Sequence, residues 1–418
     1  MGEINLDNTG SGSSVTLSSD GTSLLLDGTA IGGGGGADLY AANESSPTSQ
    51  PSATGTNAIA IGEASVSAGT RGIAINIGDT SYGALSGTTN PIAIGYQARV
   101  RANVQNSLAI GTSTDVNNAY STAVGYNAHA FGTNAQAFGS GAYAANDGAL
   151  ALGHNAQAGT RRAVSLGNSR ANGEDSFAAV ITNNTTTYGA TGVSSIAIGR
   201  LAKASGQEAV AIGDTTQATG INAIAFGNFA VASATKSSVF GGDGNVASGS
   251  KSVAIGGYYA EAREESKIAF GGGYIGTGPG THAYQAGLLC MGAATTDATA
   301  TILRSSNAAA GTTNQVILPN NSAYSFNGTI VARESAAAGS NYASWEIKGA
   351  LLRDANAAST VLGNGIQNKL YATAGASAWA IALTADTTNG GLKIEVTGAA
   401  STNIRWVATV HTSEVTYA

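Results

Sequence analysis

A four-residue pattern that recurs about every fourteen residues constrains the fold of this chain more than any other feature. An apolar residue, a small residue, a second apolar residue and a glycine follow one another, first at 59–62 and last at 268–271. The spacing is fourteen residues from Gly111 to Gly167 and again from Gly199 to Gly241. Helical and leucine-rich repeats need longer units, so the period predicts a β-solenoid with two short strands and two turns per coil.

The repeat has fifteen copies when one degenerate copy at 178–181 is counted. The glycine that closes each copy predicts a corner with positive φ, which glycine adopts at no steric cost. The copies begin at Ile59, Ile75, Ile92, Leu108, Thr122, Gln136, Leu150, Val164, Ala178, Ile196, Val210, Ile224, Ser238, Val253 and Ile268.

The alternation of side chains along a strand predicts how each copy is buried. The two flanking apolar residues point one way and the middle residue points the other. The middle residue is alanine in most copies, but it is Asn76 in one and Ser165 in another. We therefore predict that the flanking residues fill the coil and that the small middle residues pack closely against neighbouring chains.

The run from Asn57 to Gly62 and its successors resemble the head repeats of the trimeric autotransporter adhesins, the YadA-like heads. The resemblance covers about 57–271 and implies a homotrimer of left-handed parallel β-rolls. In such a trimer, Asn76 and Ser165 would form polar layers at the axis, where Asn76 could hold a water molecule or a small ion. Heads of this family can bind collagen or other matrix proteins, and that activity stays open here.

Residues 1–54 lack the repeat and predict an attachment segment followed by a linker. Val15–Leu17 and Ser23–Leu26 have the composition of short strands around a turn at Asp20–Gly21. Residues 44–54 are rich in serine, proline and threonine. This arrangement resembles the N-terminal joint by which phage tail fibres dock onto the tail.

The repeat covers 55–275, and after a transition at 276–292 the residues 293–418 predict a compact β-sandwich. Segments 312–321 and 404–410 resemble the distal domain at the ends of many phage tail fibres. The predicted strands are Tyr324–Ala332, Ala343–Leu352, Ala378–Leu383, Leu392–Thr397 and Asn403–His411, with turns or bulges at Asn327–Gly328 and Asn389–Gly391.

All three tryptophans, Trp345, Trp379 and Trp406, lie in this sandwich. Each shares its strand face with aliphatic residues, so we predict that they form the core rather than a sugar-binding surface. Receptor contacts are expected from loops. The sequence does not choose among the candidate loops at 334–341, 353–359 and 364–369.

Composition argues against several classes of protein. A net charge of −6 disfavours nucleic-acid binding. No apolar run approaches the length of a membrane-spanning helix, so no membrane insertion is predicted. The single cysteine, Cys290, excludes an internal disulfide and is predicted to be buried or partly buried. The four histidines are scattered, so no metal or other cofactor is expected.

Catalysis has little support in the sequence. Glu264 and Glu265 are adjacent, so a strand would place them on opposite faces rather than together. The glycine pattern at 271–276 is followed by no helix, which argues against a dinucleotide site. We therefore predict no catalytic residues and no enzymatic activity.

The hypothesis from sequence is a homotrimeric phage tail fibre, located in the virion and assembled in the host cytoplasm. Its N-terminus would bind a tail or baseplate protein, and its C-terminal domain a host cell-surface receptor, glycan or protein. The start of the chain lacks a signal peptide, and no coiled-coil stalk or membrane anchor is predicted, which favours this hypothesis. A bacterial surface adhesin that binds matrix protein through the roll, and a tailspike polysaccharide hydrolase, are the alternatives.

Overall fold

The structure is a computed structural model whose regular elements are strands and, in the described residues, two short 3₁₀ helices. Its contacts divide the chain into two units, Met1–Ala119 and Tyr120–Ala418, and each is described by itself. No helix in the described part of the chain has the length and apolar character needed to cross a membrane. The structure describes residues 4–6, 15–19, 24–26, 29–30, 50–75, 77–78, 82–84, 88–179, 187–274, 282–335 and 340–417.

The first unit begins with four short antiparallel strands, each paired with the next along the chain. The strands predicted around Leu17 and Leu25 are present, and Leu17 lies opposite Leu26. The turn predicted at Asp20–Gly21 lies outside the described residues. The four strands are Ile4–Leu6, Val15–Ser19, Leu24–Leu26 and Thr29–Ala30.

The repeat forms a parallel β-solenoid, as predicted, and one strand of each coil contains the apolar-small-apolar pattern. We call these the triplet strands, and within each unit each pairs in parallel with the next. In the first unit they are Ile59–Ile61, Ile73–Ile75, Ile92–Ile94 and Leu108–Ile110. In the second unit they are Thr122–Val124, Gln136–Phe138, Leu150–Leu152, Val164–Leu166, Phe177–Ala179, Ile196–Ile198, Val210–Ile212, Ile224–Asn228, Ser238–Asp243, Val253–Ile255 and Ile268–Tyr274.

The other strand of each coil has two residues, and we call these the pair strands. They form a second parallel sheet in each unit. In the first unit they are Ser52–Ala53, Val66–Ser67, Gly83–Ala84, Arg99–Val100 and Asp115–Val116. In the second unit they are His129–Ala130, Tyr143–Ala144, Gln157–Ala158, Arg170–Ala171, Gly189–Ala190, Lys203–Ala204, Gln217–Ala218, Val231–Ala232, Val246–Ala247 and Glu261–Ala262.

Two triplet strands differ in register from the prediction. The second copy was predicted to begin at Ile75, but its strand is Ile73–Ile75, because this register places Ala74 between Ala60 and Ala93 of the adjacent coils. Asn76 therefore follows the strand, and it lies outside the described residues. The degenerate copy was predicted to begin at Ala178, but its strand is Phe177–Ala179. In both copies, the buried alanine, Ala74 or Ala178, is the middle residue of its strand and lies next to the middle residues of the adjacent coils.

The predicted orientation of the triplet strands was wrong. The middle residues, such as Ala211 and Ala225, have no exposed surface in a single chain, so they face the interior of their own coil. The flanking residues, such as Ile198 and Phe240, remain 36% and 43% exposed. A coil of this size encloses so little volume that only small side chains fit between its two sheets, which turns the larger residues outward.

The small interior predicts a clear difference between two neighbouring residues of one pair strand. Ala218 is fully buried, whereas Gln217 is partly exposed on the opposite face. We expect Ala218→Leu to lower the free energy of unfolding by about 1–3 kcal/mol through overpacking. Gln217→Leu should change it by less than about 0.5 kcal/mol. Chemical denaturation followed by circular dichroism measures both values, and equal effects would contradict the narrow interior.

The C-terminal domain is built from two packed sheets. The larger sheet begins at the last triplet strand and continues through five antiparallel strands, in the order His282–Thr295, Ile404–Tyr417, Ser322–Glu334, Tyr342–Arg353 and Val361–Ala372. The smaller sheet contains Thr301–Ile302, Val316–Ile317, Ala380–Asp386 and Gly391–Thr397. The 3₁₀ helices are Ala357–Ser359 and Ala374–Ala376.

All five strands predicted in this domain overlap observed strands, but two long strands were not predicted. They are His282–Thr295, which begins inside the predicted transition at 276–292, and Val361–Ala372. The turn or bulge predicted at Asn327–Gly328 is wrong, because both residues lie within a long strand. A Cβ atom on Gly328 would lie 2.3 Å from the Thr409 carbonyl oxygen, so glycine serves close strand approach there.

The tryptophans form the core between the two sheets, as predicted. Trp345, Trp379 and Trp406 are each at most 2% exposed. The rings of Trp345 and Trp406 are stacked with centroids 5.5 Å apart. The Trp406 indole N–H donates to Thr295 Oγ1 at 3.0 Å. Buried indoles of this kind cannot offer their faces to a sugar without unfolding the domain.

Candidate functional site

The outward face of the triplet strands in the second unit is a row of exposed apolar side chains, which we call the apolar ladder. Its members are the apolar residues among the first and third positions of the triplet strands from Val124 to Phe270; Thr122, Gln136 and Ser238 are polar residues in the same positions. The Phe226 and Phe240 rings stack in successive coils, with centroids 6.1 Å apart. The most exposed members are Leu152 at 47%, Ile198 at 36%, Phe240 at 43%, Ile255 at 36% and Phe270 at 45%.

The ladder is a candidate interaction surface because its residues adjoin one another. Phe240 lies opposite Ile255, and Ile255 lies opposite Phe270, so their exposed side chains are neighbours on the same face. Single exposed apolar residues are ordinary, but contiguous apolar patches mark surfaces that another molecule covers. The sequence pattern identified these residues as the flanking positions of the repeat, but only the structure shows that they face outward.

The face formed by the pair strands is different, because it is mostly polar with one aromatic cluster. The ring centroid of Phe131 lies 5.3 Å from that of His129 and 5.5 Å from that of Tyr143. All three side chains are partly exposed. Next to them, the Arg170 guanidinium donates to Gln157 Oε1 at 2.8 Å. The sequence analysis missed this cluster, since two-residue strands give no visible alternation.

Ser165 was predicted to form a polar layer facing a trimer axis, but it lies inside its own coil. Its side chain is fully buried, and its hydroxyl donates to the Ser169 carbonyl oxygen at 2.6 Å. The hydroxyl oxygen also accepts from the Gln157 backbone N–H at 3.2 Å. As the middle residue of its triplet, Ser165 takes the inward position that alanine holds in the neighbouring coils. The other predicted member, Asn76, lies outside the described residues.

A buried charged cluster lies where the last coil meets the C-terminal sheet. Lys267 Nζ lies 3.2 Å from Glu264 Oε2 and 2.9 Å from Glu414 Oε1. These three residues are only 3–5% exposed, in a chain with few charges overall. Removing charges from water costs several kcal/mol each, so the cluster is stable only while its members stay paired.

Hydrogen bonds from neighbouring strands complete the cluster. Gln285 Nε2 donates to Glu414 Oε2 at 2.6 Å, and Thr412 Oγ1 donates to Glu414 Oε1 at 2.5 Å. The Glu261 backbone N–H donates to Gln285 Oε1 at 2.7 Å. The ammonium of Lys267 also lies 5.7 Å from the centre of the Tyr324 ring. The coil and the sheet are thus joined through one shared network.

The surroundings shift the pKa values of the two glutamates in opposite directions. Burial raises the pKa of Glu264 more than the attraction of Lys267 lowers it. Burial also opposes the charge on Glu414, but Lys267 and the hydrogen bonds from Thr412 and Gln285 outweigh it and lower its pKa. Attraction to both carboxylates raises the pKa of Lys267 despite its burial. Glu414 and Lys267 are therefore the charged pair, and Glu264 is the group that favours a proton.

Glu264 and Glu265 point in different directions, but they lie in the turn after strand Glu261–Ala262 and not on two faces of a strand. Glu265 points outward and pairs with Lys251, whose Nζ lies 2.8 Å from Glu265 Oε1. Glu264 and Glu414 come together, yet both are enclosed and share Lys267. Within the ranges that the structure describes, no group of three histidine, cysteine, aspartate or glutamate residues could hold a metal ion.

The candidate receptor loops have different structures. In the 353–359 loop, the Asn356 side chain caps the 3₁₀ helix, accepting from the Ser359 backbone N–H at 3.2 Å. Residues 364–369 are not a loop, because they lie within strand Val361–Ala372. In the 334–341 loop, residues 336–339 lie outside the described residues.

Comparison with protein families supports the resemblance found in the repeat. The model of the family "YadA head domain repeat (2 copies)" matches six segments, all within the coils. The segments are 53–75, 102–128, 117–142, 144–169, 190–216 and 218–243. A search of curated protein sequences gives no match.

Two solved structures of phage proteins are weakly similar. One is the tailspike protein gp49 from Acinetobacter baumannii bacteriophage Fri1, a capsular polysaccharide depolymerase, with 10% identity and a TM-score of 0.21. The other is the Acinetobacter phage vB_ApiP_P1 tailspike protein, with 11% identity and a TM-score of 0.18. The alignments cover 86% and 84% of this chain, and they span only 65% and 64% of the tailspikes.

Proposed function

We propose that this chain is one subunit of a homotrimeric phage tail fibre that recognises a host cell surface. The observation that carries the proposal is the apolar ladder on a β-solenoid whose repeats match the YadA head family. The ladder of a second copy of this chain has the same apolar character and the same length, so it is the partner that best covers this surface. Covering one side chain of this size contributes about 1.5–3 kcal/mol, and the ladder offers several.

The proposal assigns separate roles to the parts of the chain. The N-terminal segment binds a tail or baseplate protein, the coils hold the copies together, and the C-terminal domain meets the host receptor. The resemblance of 312–321 and 404–410 to phage-fibre distal domains supports the last role. We infer a glycan as the receptor, and the proposal includes no catalytic step, cofactor or nucleic-acid partner.

A bacterial surface adhesin is the second candidate, and the aromatic cluster favours it. Phe131 and Tyr143 lie on the pair-strand face, away from the ladder, so they would stay accessible in an assembly that covers the ladder. An adhesin of this kind would bind matrix protein through the coils and would be located on a cell surface.

Binding of the labelled full-length protein tests the two candidates. We expect attachment to bacteria, with loss of more than about tenfold in affinity for a Gln367→Ala, Asn368→Ala variant in the exposed part of strand Val361–Ala372. Tyr143→Ala serves as the matched control and should attach as the unmodified protein does. The same proteins are applied to collagen-coated plates.

The opposite result would overturn the fibre proposal. If Tyr143→Ala abolishes binding to collagen while the tip variant retains it, the coils are the binding part and the adhesin candidate is correct. Light scattering measures the assembly in parallel: a trimer has a mass of about 123 kDa, three times the 41.1 kDa of one chain. A fall in polysaccharide viscosity on incubation would instead reveal a hydrolase.

A further inference from the structure

The outward face of the coils continues as the outer face of the C-terminal sheet. Ile268–Tyr274 pairs antiparallel with His282–Thr295, so that Phe270 of the ladder lies opposite Ala286. Residues directly opposite one another in an antiparallel sheet point to the same face. Along His282–Thr295 the exposed residues therefore belong to the ladder side, and Leu289 and Met291 point into the core.

One line of side chains on this outer face is apolar across all five strands of the C-terminal domain. We call it the distal row, and it consists of Tyr284, Val415, Ala323, Leu352 and Val361, each opposite the next. Four of these residues are 42–55% exposed, although each belongs to a strand whose other face is mostly buried, except in the edge strand. Solvent-facing strand positions are usually polar, so the row is unusual.

The surface along the row has two shallow depressions, into which side chains of another molecule could pack. A shallow depression of about 480 Å³ lies on one side of Val415, lined by Phe270, Tyr284 and Ala286 among others. A second depression of about 360 Å³ lies on the other side, lined by Leu352 and Tyr417 among others. The first depression joins the last rung of the ladder to the row. The apolar side chains of the ladder and of the row thus meet around the first depression, whose lining also includes Ser413 and Gln285.

We propose that the distal row is an interface between copies of this chain, so that the C-terminal domains pack together through the face that the coils use. The inference rests on the proposed function, because it takes association through the ladder as its starting point. In a closed symmetric assembly, equivalent residues of all copies lie at the same height along the axis. A copy that covers Phe270 therefore brings its own Val415 and Leu352 to the distal row of its neighbour.

The rest of the face fits the rim of such an interface. On the same face, the line of residues next to the row contains Ser413, Ser325 and Ala350, and the line after it contains His411, Asn327 and Lys348. Lys348 Nζ lies 3.7 Å from Glu346 Oε1. Interfaces between proteins commonly have an apolar centre and a polar, hydrated rim. A consequence is that a host receptor meets the loops and the edge of the sheet, and not its outer face.

A cysteine placed in the row tests the inference in the full chain. The variant is Val415→Cys in a Cys290→Ser background, because Cys290 is exposed on this same face, contrary to the prediction that it is buried or partly buried. Val415 is 44% exposed in one chain, so the substitution leaves the core unchanged. We expect a bulky maleimide to label the native assembly at least about tenfold more slowly than the guanidinium-unfolded chain, since packed interfaces exclude solvent. A short bis-maleimide should give covalent dimers and trimers.

Two further variants in the Cys290→Ser background make the result specific. Leu352→Cys lies in the same row and should behave as Val415→Cys does. Val246→Cys lies on the pair-strand face and should be labelled readily, with no cross-links.

The mass of the assembly separates the two ways in which the inference can fail. A trimer mass with rapid labelling at both row positions would overturn this inference and leave the proposed function standing, with the row free for a receptor. A single-chain mass would overturn both.

Discussion

Replacing Phe240 and Ile255 by lysine is expected to convert the proposed trimer of about 123 kDa into single chains of 41.1 kDa. The two residues lie opposite each other in adjacent coils and are 43% and 36% exposed in one chain. Each substitution removes about 1.5–3 kcal/mol of apolar burial per chain. In the proposed trimer it also places lysines from three chains close together, where like charges repel. Light scattering measures the mass, and circular dichroism checks that the coils remain folded.

The matched control uses the same chemistry on the other face of the same region. Val231 and Val246 are paired in adjacent coils and partly exposed on the pair-strand face. A Val231→Lys, Val246→Lys variant should keep the trimer mass. If the Phe240, Ile255 variant also keeps it, the copies associate elsewhere; if the unmodified protein is already a single chain, the fibre proposal loses its main support.

Lys267→Met is expected to cost about 3–5 kcal/mol of stability in the C-terminal domain, because it leaves Glu414 buried without its partner. The lysine connects the last coil to the final strand, at 3.2 Å from Glu264 and 2.9 Å from Glu414. All three tryptophans lie in this domain, so their fluorescence during chemical denaturation reports its unfolding. The measured quantity is the free energy of unfolding.

Lys251→Met provides the control for charge removal. Lys251 pairs with Glu265 in a comparable part of the coils, but its side chain is 57% exposed. Exposed pairs of this kind contribute at most about 1 kcal/mol. Equal costs for Lys251→Met and Lys267→Met would show that the buried cluster is not a structural joint.

The same cluster predicts a pH dependence. The pKa of Glu264 is raised in the folded chain, so the folded state holds a proton there that the unfolded state releases at lower pH. Stability from this group is present below the pKa of an unfolded glutamate and is lost as pH rises through the raised value. Glu414 acts in the opposite sense, because its pKa is lowered and its contribution is lost as pH falls.

Glu264→Gln isolates the first of these effects. The amide is neutral at every pH, so the melting temperature of this variant should fall less steeply than that of the unmodified protein above the usual glutamate range. Melting curves over a pH series measure the two slopes. Identical slopes would mean that Glu264 keeps its charge in the folded chain.

The solenoid could be predicted from the sequence because its causes are local. A glycine after nearly every triplet and an alanine in the middle of most triplets recur at a period that no helical repeat allows. Each coil contacts mainly its neighbours. The same argument explains the tryptophan core, since Trp345, Trp379 and Trp406 each lie two residues from an aliphatic residue, as expected for a shared strand face.

The direction of the triplet strands could not be predicted in this way. Alternation separates two faces, but it does not say which face closes the coil. The available volume decides this, and Ala211 fits inside where Ile212 does not. For the same reason, the inward direction of Ser165 could not be predicted. Its hydrogen-bond partners, Ser169 and Gln157, come close to it only when the coil has formed.

The two long strands of the C-terminal domain were missed for related reasons. Val361–Ala372 is exposed on both faces at the edge of its sheet, so its sequence has no apolar alternation to detect. His282–Thr295 is rich in glycine and alanine, which resemble a linker until their partners are known.

The sequence by itself determined the repeat, the parallel solenoid and the change to ordinary strand alternation after it, because these follow from spacing and composition within short segments. Only the tertiary structure decided which side chains face outward and which charges meet. Lys267 and Glu414 are 147 residues apart in the chain, and their contact depends on the pairing of strands that are distant in sequence. Spacing within one segment contains no information on such a contact, because the sheet that brings the two residues together forms only when the whole second unit folds.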